Sequence, residues 1–334
     1  MESSFGSASR LHYLCKKTDR KMQFSRSLLL ALKGCAMGMA DVVPGVSGGT
    51  IAFVSGIYEE LIDAIRSIDL AALRLLLRGR FRALWQHIHG AFLLPVLLGI
   101  GVAIFSLARV MTWLLAHYPI QVWAFFFGLI IASALLVARQ VTRWNLAAIL
   151  AALVGAAVAA WITLASPAQT PDTWWFVLLS GAVAICAMIL PGISGAFILL
   201  LLGKYQYILG AIGELNLPVI ALFGIGAAAG ILSFSRLLAW LLRHWHDATV
   251  ALLMGFMIGS LNKVWPWKQT VATFVDRHGE LQPLVERNIA PDTFAALTGA
   301  DAHLPAAVLL GVLGFATIYG VETAARLLAD KNSK

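Results

Sequence analysis

Long apolar runs separated by short polar segments dominate the hydrophobic pattern of this chain. Unbroken runs long enough to cross a bilayer as helices, which takes about 20 residues, cover 91–116, 120–139, 145–165, 218–242, 248–265 and 304–328. Two further runs, 32–57 and 176–203, each carry a Pro-Gly-x-Ser-Gly sequence near the middle, which breaks a helix. Two half-helices that meet at a break predict a re-entrant hairpin, which enters and leaves the bilayer on one side.

The two broken runs are copies of each other. Pro44–Ile65 aligns with Pro191–Ile212 at an offset of 147 residues, with nine of 22 positions identical. A second block, Ser106–Ser133, aligns with Ser233–Ser260 at an offset of 127. The chain is therefore an internal duplication, and the first copy carries extra residues between its two blocks.

The duplication predicts an inverted repeat. Residues 31–165 and 174–330 each contain one hairpin and three spans, and three is an odd number, so the second repeat must be inserted upside down. The extra residues lie in 59–89, an Arg-rich segment with apolar residues at helical spacing, which predicts an interfacial helix against anionic membrane lipids or a plain connecting helix.

Basic residues set the predicted orientation. They cluster in the N-terminal tail (1–30), in Arg66–Arg82 and at the C-terminus, and short basic loops favour the cytoplasmic side. With both termini cytoplasmic and both breaks re-entrant, every short basic cluster lies inside. An eight-span alternative, in which both breaks cross the bilayer, would place one of these clusters outside.

Composition agrees with this class. The chain is 60% hydrophobic and 13% charged, whereas soluble domains have about 45–50% apolar and about 25% charged residues. We therefore expect an all-α integral membrane protein without a removable signal peptide. The net charge of +8 reports orientation and indicates no nucleic-acid binding. Three widely spaced cysteines predict neither a disulfide framework nor a metal site, and no cofactor is indicated.

The broken helices predict an anion site. A helix that starts inside the bilayer has unpaired N–H groups and the positive end of its dipole at that point, so it must face a polar cavity or a ligand. Ser47 and Ser194 can cap the new helices or donate a hydroxyl group, and the neighbouring glycines let the backbone approach an anion. Phosphate is the most plausible ligand; chloride or a carboxylate also fits. The alternative is that both breaks only kink helices for packing.

Charged residues within the apolar runs are further candidates. Asp41 could carry a coupling proton, help to hold Na⁺, or cap the helix at the first break. Arg109 and Arg236 occupy equivalent positions in the repeats and could bind phosphate oxygens or extend to the membrane surface. Glu59 and Glu322 are the remaining candidates for coupling an ion.

Two segments resemble the PopT-type undecaprenyl-phosphate translocases, a bacterial membrane family formerly known only as a domain of unknown function. The segments are GMADVVPGVSGGTIAFVSGIYE (Gly38–Glu59) and PGISGAFILLLLGKY (Pro191–Tyr205). The resemblance implies a non-enzymatic flippase of the inner membrane that returns undecaprenyl phosphate from the outer to the inner leaflet for envelope synthesis. It also implies a lipid-phosphate site at Asp41, Pro44, Gly45, Ser47, Gly48, Gly49, Thr50, Pro191, Gly192, Ser194 and Gly195.

Two rival functions remain. Undecaprenyl-pyrophosphate phosphatases are inverted-repeat membrane enzymes with a similar motif, but Gly48 and Gly49 stand where that motif has Arg-Ser. A small-anion channel could use the same helix ends. The sequence predicts neither an oligomeric state nor a role for the mixed-charge loop 266–303.

Overall fold

The computed structural model describes residues 25–41, 47–165, 170–275 and 281–332, and these are mostly helical. Helix α1 covers 25–41. The helices that follow are α2 (Gly48–Val54), α3 (Tyr58–Arg66), α4 (Leu70–Leu77), α5 (Phe81–His87), α6 (Gly90–His117), α7 (Pro119–Ala138), α8 (Leu146–Leu164), α9 (Trp174–Ile189), α10 (Gly195–Leu201), α11 (Tyr205–Gly213), α12 (Leu217–His244), α13 (His246–Ser260), α14 (Pro291–Thr298) and α15 (Leu304–Asn332). Strands β1 (Lys268–Val275) and β2 (Leu281–Asn288) lie between α13 and α14.

Three helices of the described residues, α7, α8 and α12, are long and apolar enough to cross a membrane. The number rises to five if two bent helix pairs are each counted as one span. These pairs are α5 with α6, bent by 75°, and α10 with α11, bent by 111°. Helix α9 and the part of α15 up to Gly320 are shorter apolar helices. By length, this is fewer than the six full spans expected from the sequence.

The Arg-rich segment forms three short helices, α3 to α5, where the sequence pattern predicted one continuous interfacial helix. Helix α3 ends at Arg66, and Asp69 starts α4, because its carboxylate accepts a hydrogen bond from the N–H of Ala72 (2.9 Å). Gly79 ends α4 with a φ of +66°, which glycine adopts without strain. Apolar residues keep their helical spacing across both of these helix ends, so the sequence pattern did not show that the segment divides there.

Helix boundaries repeat along the chain at the two offsets found in the sequence. Adding 147 to the limits of α2 and α3 gives those of α10 and α11, and adding 127 to the limits of α6 gives those of α12. The predicted breaks are present as well, since α9 ends at Ile189 and α10 begins only at Gly195. The duplication therefore extends from the sequence to the helix boundaries.

Contacts between helices repeat at the same offsets. A side-chain carbon added to Gly34 of α1 would lie 2.2 Å from the carbonyl oxygen of Val96 in α6. One added to the equivalent Gly181 of α9 would lie 2.3 Å from the carbonyl oxygen of Phe223 in α12. Small residues allow such close backbone approach between membrane helices. The pairs α1–α6 and α9–α12 therefore pack alike.

Two further helix pairs each join a helix of the first copy to a helix of the second. Helix α7 packs along α15, and its repeat equivalent α13 packs along α8. Gly128 of α7 and Gly255 of α13 are equivalent, and a side-chain carbon added to either would lie about 2 Å from a carbonyl oxygen, of Gly311 (1.8 Å) and Ala152 (2.2 Å) respectively. Each copy thus supplies helices that pack against the other copy.

The loop after α13 contains a β-hairpin, which the sequence analysis did not predict. Strands β1 and β2 pair antiparallel, with Lys268 opposite Asn288. The indole N–H of Trp265 donates to the carbonyl oxygen of Ile289 (2.9 Å), and that of Trp267 to Ala302 (2.9 Å). These two bonds join residues just before the hairpin to residues after it. Because the hairpin is present, the chain is mostly helical and not all-α as the sequence predicted.

Candidate functional site

The second break is a sharp turn that requires glycine. Gly192 has a φ of +87°, and a side-chain carbon there would lie 2.9 Å from the carbonyl oxygen of Phe256. Pro191 precedes it and supplies no N–H group. Ser194 then occupies the N-cap position of α10 in an extended conformation and is 7% exposed. The sequence therefore ends α9 and starts α10 within a few residues.

The first break is satisfied by its own side chains. The Asp41 carboxylate accepts a hydrogen bond from the N–H of Gly48 (2.7 Å), and the Ser47 hydroxyl accepts one from Gly49 (3.1 Å). A side-chain carbon on Gly48 would lie 2.5 Å from the Asp41 carboxylate. Three roles were considered for Asp41 from the sequence, and these contacts show the helix cap. Pro44 and Gly45 lie outside the described residues.

The two breaks touch each other through hydrogen bonds. The hydroxyl of Ser47 donates to the carbonyl oxygen of Met188 (3.1 Å), and the N–H of Gly192 donates to the Thr50 hydroxyl (2.9 Å). Tyr58, which is 3% exposed, donates to the carbonyl oxygen of Ile189 (3.1 Å). Carbonyl groups freed where α9 ends are thus bonded by side chains of the first copy, as a helix end inside a bilayer requires.

The N-terminus of α10 has no such cap. Met188 stands at the repeat position of Asp41, and a thioether is at best a weak acceptor. Within the described residues, neither the Ser194 hydroxyl nor the N–H groups of Gly195 and Ala196 have a hydrogen-bond partner. The motif is the same in both copies, but among the described residues the N–H donors are bonded at the start of α2 and have no partner at the start of α10.

These free donors open onto a cavity of about 230 Å³, here called the central cavity. Asp41 and Ser194 are its polar side chains, and apolar side chains such as Leu199 and Phe223 form most of the remaining wall. Met188 also lines the cavity and is 39% exposed, so the cavity reaches the surface of the protein. An anionic group attached to a hydrocarbon chain fits this distribution of polar and apolar groups.

Among the described side chains, the charged candidates Arg236 and Glu59 do not line the central cavity. Arg236 is exposed on α12. Glu59 is exposed as well, and its carboxylate lies 3.5 Å from the imidazole of His246. The side chains of Arg109 and Glu322 are outside the described part of the chain. Of the two described candidates for ion coupling, Asp41 and Glu59, it is therefore Asp41 that lies at the cavity.

Lys204 has a role that the sequence analysis did not assign. It lies between α10 and α11 and is 1% exposed. Its ammonium group is 2.7 Å from the carbonyl oxygen of Thr170 and 2.5 Å from the Asp172 carboxylate. These bonds tie the bend after α10 to the segment before α9. A lone lysine within an apolar run is the signal that could have indicated it.

No cluster of three metal-binding side chains occurs among the described residues.

Comparisons with known proteins agree with the sequence motifs. A polyprenyl-phosphate transporter of Vibrio cholerae serotype O1 is 45% identical over 291 residues, which cover 87% of this chain and 94% of that protein. A polyprenyl-phosphate transporter of Staphylococcus aureus is 35% identical over 253 residues, covering 70% of this chain and 85% of that protein. No solved structure matches.

The family comparison covers most of the chain. The model of a family described as undecaprenyl phosphate translocase-like matches residues 37–282, which include both breaks and most of the β-hairpin. Both relatives are named as transporters, in agreement with the expectation that the chain is not an enzyme. The chain belongs to the undecaprenyl phosphate translocase-like family.

Proposed function

We propose that this protein transports polyprenyl phosphate, and specifically undecaprenyl phosphate, across the bacterial inner membrane. Transport runs from the outer to the inner leaflet, so that the lipid carrier is reused for cell-envelope synthesis. The names of the two relatives and of the family support the substrate class. The observation that carries the proposal is the uncapped N-terminus of α10, which opens with Ser194 onto the central cavity.

The phosphate binds at this helix end. Its oxygens accept hydrogen bonds from the Ser194 hydroxyl and from the N–H groups of Gly195 and Ala196, where the helix dipole also favours a negative charge. The isoprenoid chain lies along the apolar wall and leaves the cavity past Met188. Residues of the first break contribute indirectly. Ser47 and Thr50 bond the first break to the second, while Gly48 and Gly49 donate to the caps Asp41 and Ser47 within the first break.

Asp41 binds the coupling cation, H⁺ or Na⁺. It lines the same cavity as the proposed phosphate site, and an ionised carboxylate beside a phosphate in a medium of low dielectric constant is strongly repelled. A cation on Asp41 removes that repulsion and makes joint binding favourable. Binding of the cation also competes with the bond from Asp41 to Gly48, which offers a link between ion binding and the first break.

Alternating access follows from the arrangement of the copies. The two hairpins are re-entrant, the repeats are inverted, and one copy rocks against the other around the touching breaks. The repeated helix boundaries and contacts support this scheme. Both termini and the short basic loops lie in the cytoplasm.

Reconstitution in liposomes distinguishes transport from the rival functions. Labelled polyprenyl phosphate should exchange between leaflets at a rate proportional to the amount of protein, without release of inorganic phosphate. The same liposomes given the pyrophosphate form should release no phosphate, and liposomes loaded with chloride should not leak it. Phosphate release without exchange would make the protein a phosphatase, and chloride flux without exchange would make it a channel.

A further inference from the structure

A second cavity, of about 300 Å³, lies between the β-hairpin and the ends of α8 and α10. We call it the basic pocket, because Lys263, Lys268 and Arg287 line it together with one acidic residue, Glu286. The hairpin forms one wall and helix residues form the other. With both termini cytoplasmic and both breaks re-entrant, as the sequence predicts, five spans separate the cytoplasmic Arg-rich segment from the β-hairpin, so the hairpin lies on the outer side of the membrane.

The charges in the basic pocket do not balance. The ammonium groups of Lys263 and Lys268 lie 3.1 and 3.5 Å from the same oxygen of Glu286. Their side chains are 17% and 7% exposed, and that of Glu286 is 21% exposed. Two largely buried lysines thus share one carboxylate, whereas Arg287 is exposed, and buried charges are normally paired. The pocket therefore has room and unused charge for an anion.

Burial perturbs the charged groups as expected for this imbalance. Desolvation lowers the pKa of Lys268 to about 8, although the Glu286 carboxylate acts in the opposite direction. Burial acts to raise the pKa of Glu286, but the ammonium groups of Lys268 and Lys263 outweigh it and keep that pKa below its usual value. A bound dianion would stabilise the protonated form of Lys268.

Part of the lining of the basic pocket is apolar. Leu164, at the end of α8, is 72% exposed and lines the pocket together with Phe197 and Leu201 of α10. A site for free phosphate gains nothing from such a wall, because the ion has no apolar surface to bury. A phosphate joined to an isoprenoid chain can use both walls.

Helix α10 separates this pocket from the central cavity. Phe197 and Leu201 line the basic pocket, whereas Gly195 and Leu199 line the central cavity. Positions two apart lie on nearly opposite faces of an α-helix. The two cavities are thus neighbours with one short helix as the partition.

We propose that the basic pocket binds the phosphate headgroup of a polyprenyl phosphate in the outer leaflet, before the headgroup passes α10 to the central cavity. This inference rests on the proposed transport function and adds a first binding site to it. Lys263 and Lys268 contact the phosphate, and Glu286 holds the two ammonium groups in place. The apolar wall receives the first isoprene units.

Binding of a soluble substrate analogue tests the proposal. Farnesyl phosphate is titrated into the purified full-length protein in nanodiscs by calorimetry, with farnesol and inorganic phosphate as comparison probes. The Ser194→Leu background, in which the central cavity is filled, isolates the basic pocket. We expect farnesyl phosphate to bind there, inorganic phosphate to bind far more weakly, and farnesol not to bind at this site.

Charge variants test the residues. Lys263→Gln and Lys268→Gln should each weaken binding roughly tenfold or more, since each removes a charge-assisted hydrogen bond. Glu286→Gln should tighten binding several-fold, because it removes a negative charge next to the phosphate. Arg143→Gln removes an exposed charge between α7 and α8 and should leave the affinity unchanged.

The pH dependence adds an independent readout. Binding should weaken as the pH rises from 7 to 9, because Lys268 loses its proton in this range while a phosphate monoester, with a second pKa of about 6, stays dianionic. Lys263, Glu286 and Arg287 are the other charged side chains that line the pocket. The lysine variants are checked for unchanged thermal unfolding before titration.

The outcomes separate this inference from the proposed function. Wild-type affinity in both lysine variants, or equal affinity for inorganic and farnesyl phosphate, would overturn the headgroup site while leaving transport intact. Lysine-dependent binding of farnesyl phosphate by a protein that exchanges no lipid in liposomes would support the pocket and overturn transport.

Discussion

Ser47 and Ser194 occupy the same position in the two copies, but their hydroxyl groups have different environments. Ser47 caps α2 and donates to Met188, whereas Ser194 has no partner among the described residues and faces the central cavity. The cause is one residue upstream of each break, Asp41 in the first copy and Met188 in the second. The sequence predicted that each serine begins a helix. It did not predict that α2 is capped and α10 is not, because the shared Pro-Gly-x-Ser-Gly motif gave no reason to expect different contacts.

Replacing each serine by alanine should therefore have opposite effects. Ser47→Ala loses a cap and an interhelical hydrogen bond, and should lower the free energy of unfolding by about 1–2 kcal/mol. Ser194→Ala loses no bond within the described residues and should change stability by less than about 0.5 kcal/mol. It should nevertheless reduce transport roughly tenfold, because a hydrogen bond to a charged group is lost. Thermal unfolding in detergent and lipid exchange measure the two effects; a large loss of stability in Ser194→Ala would refute the assignment.

At the scale of helices and strands, glycine spacing determines how closely neighbouring elements approach.

The sequence predicted the two breaks well, because Pro-Gly within an apolar run has few other meanings. It did not predict the division of 59–89 into three helices, which depends on the cap by Asp69 and the positive φ of Gly79. It also missed the β-hairpin, whose strand pattern of β-branched residues was hidden in a loop of mixed charge.

Two glycines of α12 provide a matched test of helix packing. A side-chain carbon at Gly226 would lie 1.9 Å from the carbonyl oxygen of Leu178 in α9, whereas one at Gly224 would have nothing within 4 Å. Gly226→Ala should separate α9 from α12 and destabilise the protein by roughly 1–3 kcal/mol. Gly224→Ala should leave stability unchanged or slightly raised. Equal unfolding temperatures for the two variants would contradict the close approach of these helices.

For the molecule as a whole, the duplication was predictable because both offsets were visible in the sequence. Helix boundaries and glycine contacts follow those offsets. Orientation in the bilayer was not predictable in the same way, since it depends on whether each broken helix crosses the membrane or returns to the side it came from. A hairpin that returns and a kinked helix that crosses have the same hydrophobic pattern, so composition cannot separate them.

Cysteine labelling decides between these topologies. Single cysteines are introduced by Arg78→Cys, in the Arg-rich segment, and Val271→Cys, in the β-hairpin, after the native cysteines are replaced by serine. Both sites are exposed. Five predicted spans separate them if the second break is re-entrant, so an impermeant reagent should label them from opposite sides. The eight-span alternative separates them by six spans, and labelling from the same side would establish it.

Lipid exchange in liposomes is the most direct test of the central claim that a lipid phosphate binds at the N-terminus of α10 in the central cavity. The wild-type protein should move labelled undecaprenyl phosphate between leaflets without releasing phosphate. The variant Ser194→Leu, which fills the cavity at that helix end, should insert into the membrane normally and abolish exchange. Wild-type rates in a correctly inserted Ser194→Leu variant would contradict the account.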